Sequence, residues 1–193
     1  DREGHLLSPE CSKAQFVLGY KGYVQLALRS GQYSDLDCME IRQGEYLGKD
    51  PHTAKPQFKF IEDDDLREKL PIVGYMAYFE YLNGFRKCIY WSREKMLNHA
   101  DTYSQAFSKD AYDKIQNGQI ADKDMWKYSS FWYKDFDSMA KKTLLRQLIS
   151  KWGIMSTEMQ QALADDSGIP AVDPRTGEII TDHSDELELT TDA

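Results

Sequence analysis

The spacing of apolar positions changes several times along the chain, and each change predicts an element. Gln15 to Leu18 is a short apolar run. After it Tyr20, Tyr23, Val24 and Ala27 share one side at about 100° per residue, which predicts a helix. Lys21, Gln25 and Arg29 fall on another side of that helix at i, i+4 and i+8, and Gly31 is placed to end it. Leu36 to Arg42 and Phe58 to Ile61 read as strands, separated by a polar loop around Gly48, Pro51 and Pro56. Val73, Tyr75, Ala77, Phe79 and Tyr81 then alternate strictly and meet Asn83-Gly84, the pair that favours a type I′ turn. The segment predicts a hairpin with a return strand from Phe85 to Trp91. A two-residue turn would set Tyr81 opposite Arg86, Glu80 opposite Lys87 and Phe79 opposite Cys88.

The second half reads as helical. Ser92 is placed to cap a helix to about Tyr103, with Lys95 where a capping box has an acid or amide. A connector rich in tyrosine and lysine runs from Ser104 to Ser130. Lys134 to Trp152 is the strongest helix, because Phe136, Ala140, Leu144, Leu145, Leu148 and Ile149 sweep one continuous apolar sector. Gly153 stops it, and Ser156 opens a short helix to about Ala164.

Composition changes this picture at one end. With 193 residues, 41% of them apolar, the chain can bury a core of its own. Its net charge of -8 is concentrated: from Glu158 to Ala193 ten Asp and Glu oppose Arg175, a balance of -9 that leaves Asp1 to Thr157 at about +1. The expected organisation is a core domain over 1–164 and an acidic, flexible tail over 165–193, where Pro170 and Pro174 interrupt a stretch without sustained periodicity. No eighteen-residue apolar run and no basic-then-apolar leader is present, so neither a membrane span nor a secretory signal is expected. Cys11, Cys38 and Cys88 are odd in number and far apart, which favours a reducing cytoplasm over a disulfide framework.

Candidate chemistry is basic and aromatic. Lys142 and Arg146 are four residues apart on one flank of the long helix, a spacing suited to neighbouring phosphates. Lys141 lies by angle inside the apolar sector, where an ammonium must snorkel, pair with Asp137 one turn earlier, or reach a phosphate on a groove floor. The segment just before holds Trp126, Lys127, Tyr128, Phe131, Trp132, Tyr133 and Lys134, five aromatics interleaved with two lysines. Rings beside lysines suit a site for single strands of any sequence, since every base has a face and every nucleotide a phosphate; ordinary burial of the same rings is the competing reading. The hairpin adds Arg86, Lys87, Tyr90 and Trp91, with a solvated face and a Lys87–Glu80 balance as the plainer alternative.

Enzymatic readings lack their residues. His5, His52, His99 and His183 are isolated, without H-E-x-x-H or Cys-His spacing, and the sequence has no P-loop and no G-x-S-x-G. Glu62-Asp63-Asp64-Asp65 could hold magnesium for a nuclease, but a contiguous run aims alternate carboxylates apart and reads as a solvated loop. No metal or cofactor is expected. A nuclease and a purely structural oligomer remain the alternative classes.

Three blocks resemble the RecT family of phage and prophage recombinases, over roughly Gln15 to Gln160. The first is Gln15-Phe16-Val17-Leu18-Gly19-Tyr20-Lys21-Gly22 with Leu26-Ala27-Leu28-Arg29-Ser30-Gly31-Gln32. The second is Trp91-Ser92-Arg93-Glu94-Lys95, and the third, the most specific, is Trp132, Phe136 and Met139-Ala140-Lys141-Lys142-Thr143 followed by Arg146. The resemblance implies a protein that coats single-stranded DNA and pairs it with a complementary strand without ATP, as an oligomeric ring or helical filament. It also implies an α+β fold, an antiparallel β-sheet with its hairpin packed against a long helix, and DNA along a basic groove. Lys141, Lys142 and Arg146 would then share one purpose, with Lys21 and Arg29 as further groove residues. A phage exonuclease and a host single-strand binding protein are the implied companions, in the cytoplasm of a bacterial host. Two departures stand out: Leu28 replaces a residue that is basic in many relatives, and Trp152-Gly153 replaces Leu-Pro after the long helix. The family's N-terminal region, which contributes to subunit contacts, is expected to be short or absent ahead of Asp1.

Overall fold

The computed structural model describes residues 19–157 and 159–160. In chain order the elements are α1 (Tyr20–Arg29), β1 (Tyr33–Arg42), β2 (Tyr46–Lys49), β3 (Pro56–Phe58), α2 (Asp64–Lys69), β4 (Ile72–Tyr81), β5 (Arg86–Ser92), α3 (Arg93–Tyr103), α4 (Lys109–Gln116), a 3₁₀ helix (Asp122–Tyr128), α5 (Phe131–Lys134) and α6 (Phe136–Trp152). The fold is α+β. Three antiparallel strands pair in the order β1-β4-β5, and β2 and β3 form a separate two-stranded ribbon. The apolar run Gln15 to Leu18, the tail 165–193 and most of the short helix expected after Ser156 lie outside the described residues.

Period-two alternation decides which face of the sheet is covered. Leu36, Cys38 and Glu40 of β1 pair with Phe79, Ala77 and Tyr75 of β4, so these residues share one face. That face carries α6: the Cys38 thiol donates to the Lys141 carbonyl at 3.6 Å, and the Tyr75 and Phe136 rings lie 6.4 Å apart. The core between sheet and helix holds Tyr75, Ala77, Phe79, Ala140, Leu144, Leu145, Leu148 and Ile149, every one fully buried. At about 25 cal/mol per Å² of apolar surface, this layer supplies the main driving force for folding.

Several expectations are corrected here, the hairpin first. The hairpin loop is three residues, not two: Gly84 N–H donates to the Tyr81 carbonyl at 2.9 Å, Tyr81 N–H donates to Phe85, and Gly84 takes φ 82°. Only a residue at ease in the left-handed region closes such a loop, so Gly84 serves as the bulge position rather than as half of a type I′ pair. The register therefore moves by one, to Glu80 opposite Arg86, Phe79 opposite Lys87 and Tyr78 opposite Cys88. A slip of one residue exchanges the two faces of a strand. Lys87, Ile89 and Trp91 thus join the α6 side, while Arg86, Cys88 and Tyr90 take the other.

The second correction concerns the start of the long helix. Asp135 (φ -146°, ψ 71°) breaks the helical path, and its carboxylate accepts from Ser138 N–H at 3.1 Å, so α6 opens at Phe136 and α5 is a separate turn. The loop expected between the first two strands contains β2, and the expected strand Phe58 to Ile61 is displaced to Pro56–Phe58. The four-acid run opens α2 instead of floating as a loop, with Asp63 capping Leu66 N–H at 3.0 Å.

Candidate nucleic-acid interface

Among the described residues β5 is the outer strand of its sheet, and a groove follows it. Two adjoining recesses of about 340 and 220 Å³ share Ile89, Trp91, Lys95 and Trp152. The larger one extends to Lys49, Ala54 and Pro56 of the β2–β3 ribbon and to Lys87, Cys88 and Tyr90. The smaller one reaches Gln147 and Lys151 of α6. The groove is thus bounded by the ribbon, by the start of α3 and by the C-terminal end of α6.

Its chemistry is uniform in sign. Lys49, Lys87, Lys95 and Lys151 line it, and none of its described lining residues is acidic. Charges of one sign in a cleft with low-dielectric walls reinforce one another's potential. The walls are aromatic: Tyr90 stacks on Tyr46 with centroids 4.1 Å apart, Lys95 Nζ sits 4.1 Å from the Trp91 ring, and Lys87 Nζ sits 4.3 Å from the Trp152 ring. Such cation–π contacts hold the Lys87 and Lys95 ammonium groups against the rings that wall the groove. Burial raises the Tyr90 hydroxyl above its ordinary pKa, with Tyr46 adding to the effect, and burial pushes the Cys88 thiol up to about 11 against the pull of Lys87.

The tightness of the strand pairing fixes the Tyr90 wall. A Cβ on Gly74 would lie 2.5 Å from the Tyr90 ring and 2.6 Å from the Trp91 carbonyl oxygen, so the cross-strand neighbours press directly on the glycine backbone. On the opposite bank the Tyr81 hydroxyl donates to the Trp152 carbonyl at 2.7 Å and accepts from Ile154 N–H at 2.6 Å. The Tyr33 hydroxyl donates to the Ile154 carbonyl at 2.9 Å. These bonds set the exit of α6 and with it the position of Trp152.

Of the residues singled out from sequence, Lys87, Tyr90 and Trp91 meet in this groove. The others are dispersed. Arg86, at the hairpin end, is ion-paired with Glu80 at 2.7 Å, which replaces the Lys87–Glu80 balance that the two-residue turn implied. Lys21 and Arg29 are exposed on α1. Lys127, on the connector, and Lys134, at the end of α5, are exposed, the first paired with Asp124 at 2.9 Å and the second 5.8 Å from the Phe131 ring. Trp132 is 2% exposed and packs among Phe107 and Phe136, so burial accounts for this ring.

The long helix places its charges inward. Lys142 and Arg146 are each 4% exposed, so the flank read as polar lies inside the protein. Lys141 does not pair with Asp137: its Nζ lies 2.8 Å from Glu40 Oε1 and 4.8 Å from the Tyr20 ring. Burial opposes its charge, but Glu40 outweighs that and holds its pKa above the ordinary lysine value. Asp137 is engaged elsewhere, accepting from the Tyr75 hydroxyl and pairing with Arg93 at 2.9 Å.

Four groove residues, Lys49, Lys95, Lys151 and Trp152, were not singled out as site residues in the sequence reading. Lys49 sits on the ribbon strand that the glycine and proline content of its neighbourhood disguised. Lys95 was legible as an odd residue in a capping position, and Trp152 as a departure from the family pattern, yet neither carried a local sign that α6 ends beside β5. Among the described residues no group of three or more His, Cys, Asp or Glu could hold a metal ion, and no helix is long and apolar enough to cross a membrane.

Comparison with known proteins bears on this arrangement. The chain matches the model of the RecT family over residues 9–180. It is similar to the uncharacterized protein YqaK of Bacillus subtilis (strain 168), with 40% identity over 158 residues, covering 82% of this chain and 46% of that protein. It is also similar to Protein RecT of Escherichia coli (strain K12), with 26% identity over 174 residues, covering 86% of this chain and 53% of that protein. The chain spans about half the length of the curated relatives it matches.

Proposed function

The chain belongs to the RecT family, and on that premise we propose that it binds single-stranded DNA and anneals it to a complementary strand without nucleotide hydrolysis, as one subunit of a ring or filament. The observation that carries this reading is the groove along β5, where four lysines stand among tyrosine and tryptophan rings and no described lining residue is acidic. Lysines there would fix phosphates irrespective of sequence, and rings would receive bases of any kind. Sequence specificity would then arise from base pairing with the second strand. The residues proposed to touch DNA are Lys49, Lys87, Lys95, Lys151, Tyr90, Trp91 and Trp152, with the exposed Lys21 and Arg29 of α1 as outer contacts. Lys142 and Arg146 would take part only if α6 and its cover rearranged, because both are buried.

In this reading residues 1–164 form the annealing core and 165–193 an acidic tail. A phage exonuclease and a host single-strand binding protein are the proposed companions, in the bacterial cytoplasm. The deciding experiment mixes two complementary fluorescent oligonucleotides at low salt with and without the protein, in the absence of ATP and of magnesium. Acceleration of duplex formation by the native chain, reduced in a Lys87→Ala/Lys95→Ala double variant that melts normally, is the expected result. No acceleration at any protein concentration would overturn the reading, and cleavage of either strand in a parallel reaction supplied with magnesium would replace it with a nuclease.

A further inference from the structure

Resting on the single-strand reading above, we propose that the indole of Trp152 stacks on a nucleobase of the strand whose phosphates the groove lysines hold. Trp152 is the one residue at the C-terminal end of α6 that lines both recesses and stays 40% exposed, although tryptophan is ordinarily a core residue. Its neighbours explain why it does not fold away. Lys87 Nζ sits 4.3 Å from the ring centroid, so a charged group accompanies the ring into the groove. The backbone beneath is held by the Tyr81 hydroxyl, which bridges the Trp152 carbonyl and Ile154 N–H at 2.7 and 2.6 Å. Gly153 closes the turn tightly, since a Cβ there would lie 2.5 Å from the Ile149 carbonyl and 2.7 Å from the Tyr33 hydroxyl.

The result is a large, flat, apolar surface fixed in place beside ammonium groups on Lys87, Lys95 and Lys151. A phosphate needs only the ammonium groups. A ring of this size held open to the same groove matches the rest of the nucleotide, because a base supplies a π-face of any sequence while its phosphate meets the nearby lysine. Positions that merely exclude water would be served equally by an aliphatic side chain packed flat on the sheet.

The experiment compares the native chain with Trp152→Phe, Trp152→Ala and Trp126→Phe, the last removing the other exposed tryptophan. Each is titrated with a short oligothymidylate and with an abasic strand of equal length, while affinity and tryptophan fluorescence are read. Binding of the base-bearing strand is expected to weaken about ten-fold in Trp152→Ala, within the range that base–aromatic stacking supplies, and to be largely kept in Trp152→Phe. Binding of the abasic strand is expected to change little. Quenching by oligothymidylate should be unchanged in Trp126→Phe and clearly reduced in Trp152→Phe, where Trp91 is the groove tryptophan that remains, a readout that serves even if Trp152→Ala does not fold. Equal weakening on both strands, or quenching undiminished in Trp152→Phe, would overturn the stacking role while leaving DNA binding intact. Failure of the native chain to bind either strand at low salt would overturn the single-strand reading and this inference with it.

Discussion

Lys141 Nζ lies 2.8 Å from Glu40 Oε1, tying the middle of α6 to β1 across the sheet. The side chains are 15% and 23% exposed, between the fully exposed pairs worth little and the buried pairs that are costly to break. Lys141→Ala is expected to lower stability by about 2 kcal/mol, with a Glu40–Lys141 coupling of about 1 kcal/mol in a double-mutant cycle read by urea unfolding. The folded pKa of Lys141 is raised, so the pair's contribution is complete below the ordinary lysine value and fades as pH rises through the higher folded one. The coupling should therefore be the same at pH 6 and pH 8. A variant at Lys141 that lost DNA binding with unchanged stability would contradict a structural role for this lysine.

Groove lysines carry a different signature. Each ammonium that neutralises a phosphate releases counterions, so removing it flattens the dependence of log K on log salt by about 0.7 for a single strand. Lys87→Ala, Lys95→Ala and Lys151→Ala are each expected to show this reduction in a fluorescence-anisotropy titration across salt concentrations. Lys114→Ala serves as the control, because Lys114 is exposed on α4 and paired with Asp110 at 2.5 Å, away from the groove. Equal slopes for all four variants would remove the groove as the phosphate-binding surface.

Glu45 is fully buried in the turn that joins β1 to the ribbon. Its carboxylate accepts from Arg67 Nε at 2.6 Å, Arg42 N–H at 2.7 Å and Ile61 N–H at 3.3 Å. Burial alone would raise its pKa, but these donors outweigh it and hold it below the ordinary carboxylate range. A lowered folded value means that its stabilisation is present above the unfolded pKa and lost as pH falls through the folded one. Glu45→Gln is expected to cost about 2 kcal/mol at neutral pH, and the gap to the native chain should narrow in chemical denaturation as pH falls below the ordinary carboxylate range. A constant gap across that range would show that the charge of Glu45 is not what the turn requires.

How much of this was legible in the chain depends on whether the signal was local. The buried sector of α6 was, because Phe136, Ala140, Leu144 and Leu148 repeat within one helix and needed no partner to be seen. The hairpin was legible as a hairpin, yet its register was not. Asn83-Gly84 is compatible with both a two-residue turn and a three-residue loop, and only the pairing of Tyr81 with Phe85 separates them. That single residue decided whether Lys87 faced α6. Lys141 illustrates the same limit: helix periodicity offered Asp137 as its partner, whereas Glu40, about a hundred residues away in sequence, became adjacent only through the sheet. The groove was the least legible feature of all, since Lys49, Tyr90, Lys95 and Trp152 come from four elements that no sequence spacing relates.

Charge outside the described residues makes a separate prediction. Residues 165–193 hold nine Asp and Glu against Arg175, a balance of -8 that equals the net charge of the whole chain. Removing them leaves a neutral protein, and the repulsion between this segment and DNA disappears with them. Deletion of 165–193 is expected to tighten single-strand binding several-fold at low ionic strength and to have little effect once the Debye length falls to about 3 Å near 1 M salt. Unchanged affinity at low salt would assign the segment no part in DNA binding.

Cys88 offers a chemical reporter of the groove that needs no labelled DNA. It is a free cysteine, partly buried, lining the larger recess between Lys87 and Tyr90. Only the thiolate attacks an alkylating agent, and burial pushes this thiol up to about 11. At pH 8 the reactive fraction is therefore on the order of one in a thousand, and the rate of carboxamidomethylation should rise about ten-fold per pH unit until it nears the thiol's own value. Cys38 is 4% exposed beneath α6, where burial raises its thiol further, and is expected to react more slowly at every pH. Peptide mapping by mass spectrometry separates the two sites, and Cys11, from one another. If DNA lies along β5, saturating oligonucleotide at low salt should slow alkylation at Cys88 several-fold without changing that at Cys38. Raising the salt until DNA dissociates should restore the Cys88 rate. Protection of both cysteines alike would indicate general stabilisation of the fold by the ligand, and protection of neither would place the DNA away from this edge of the sheet.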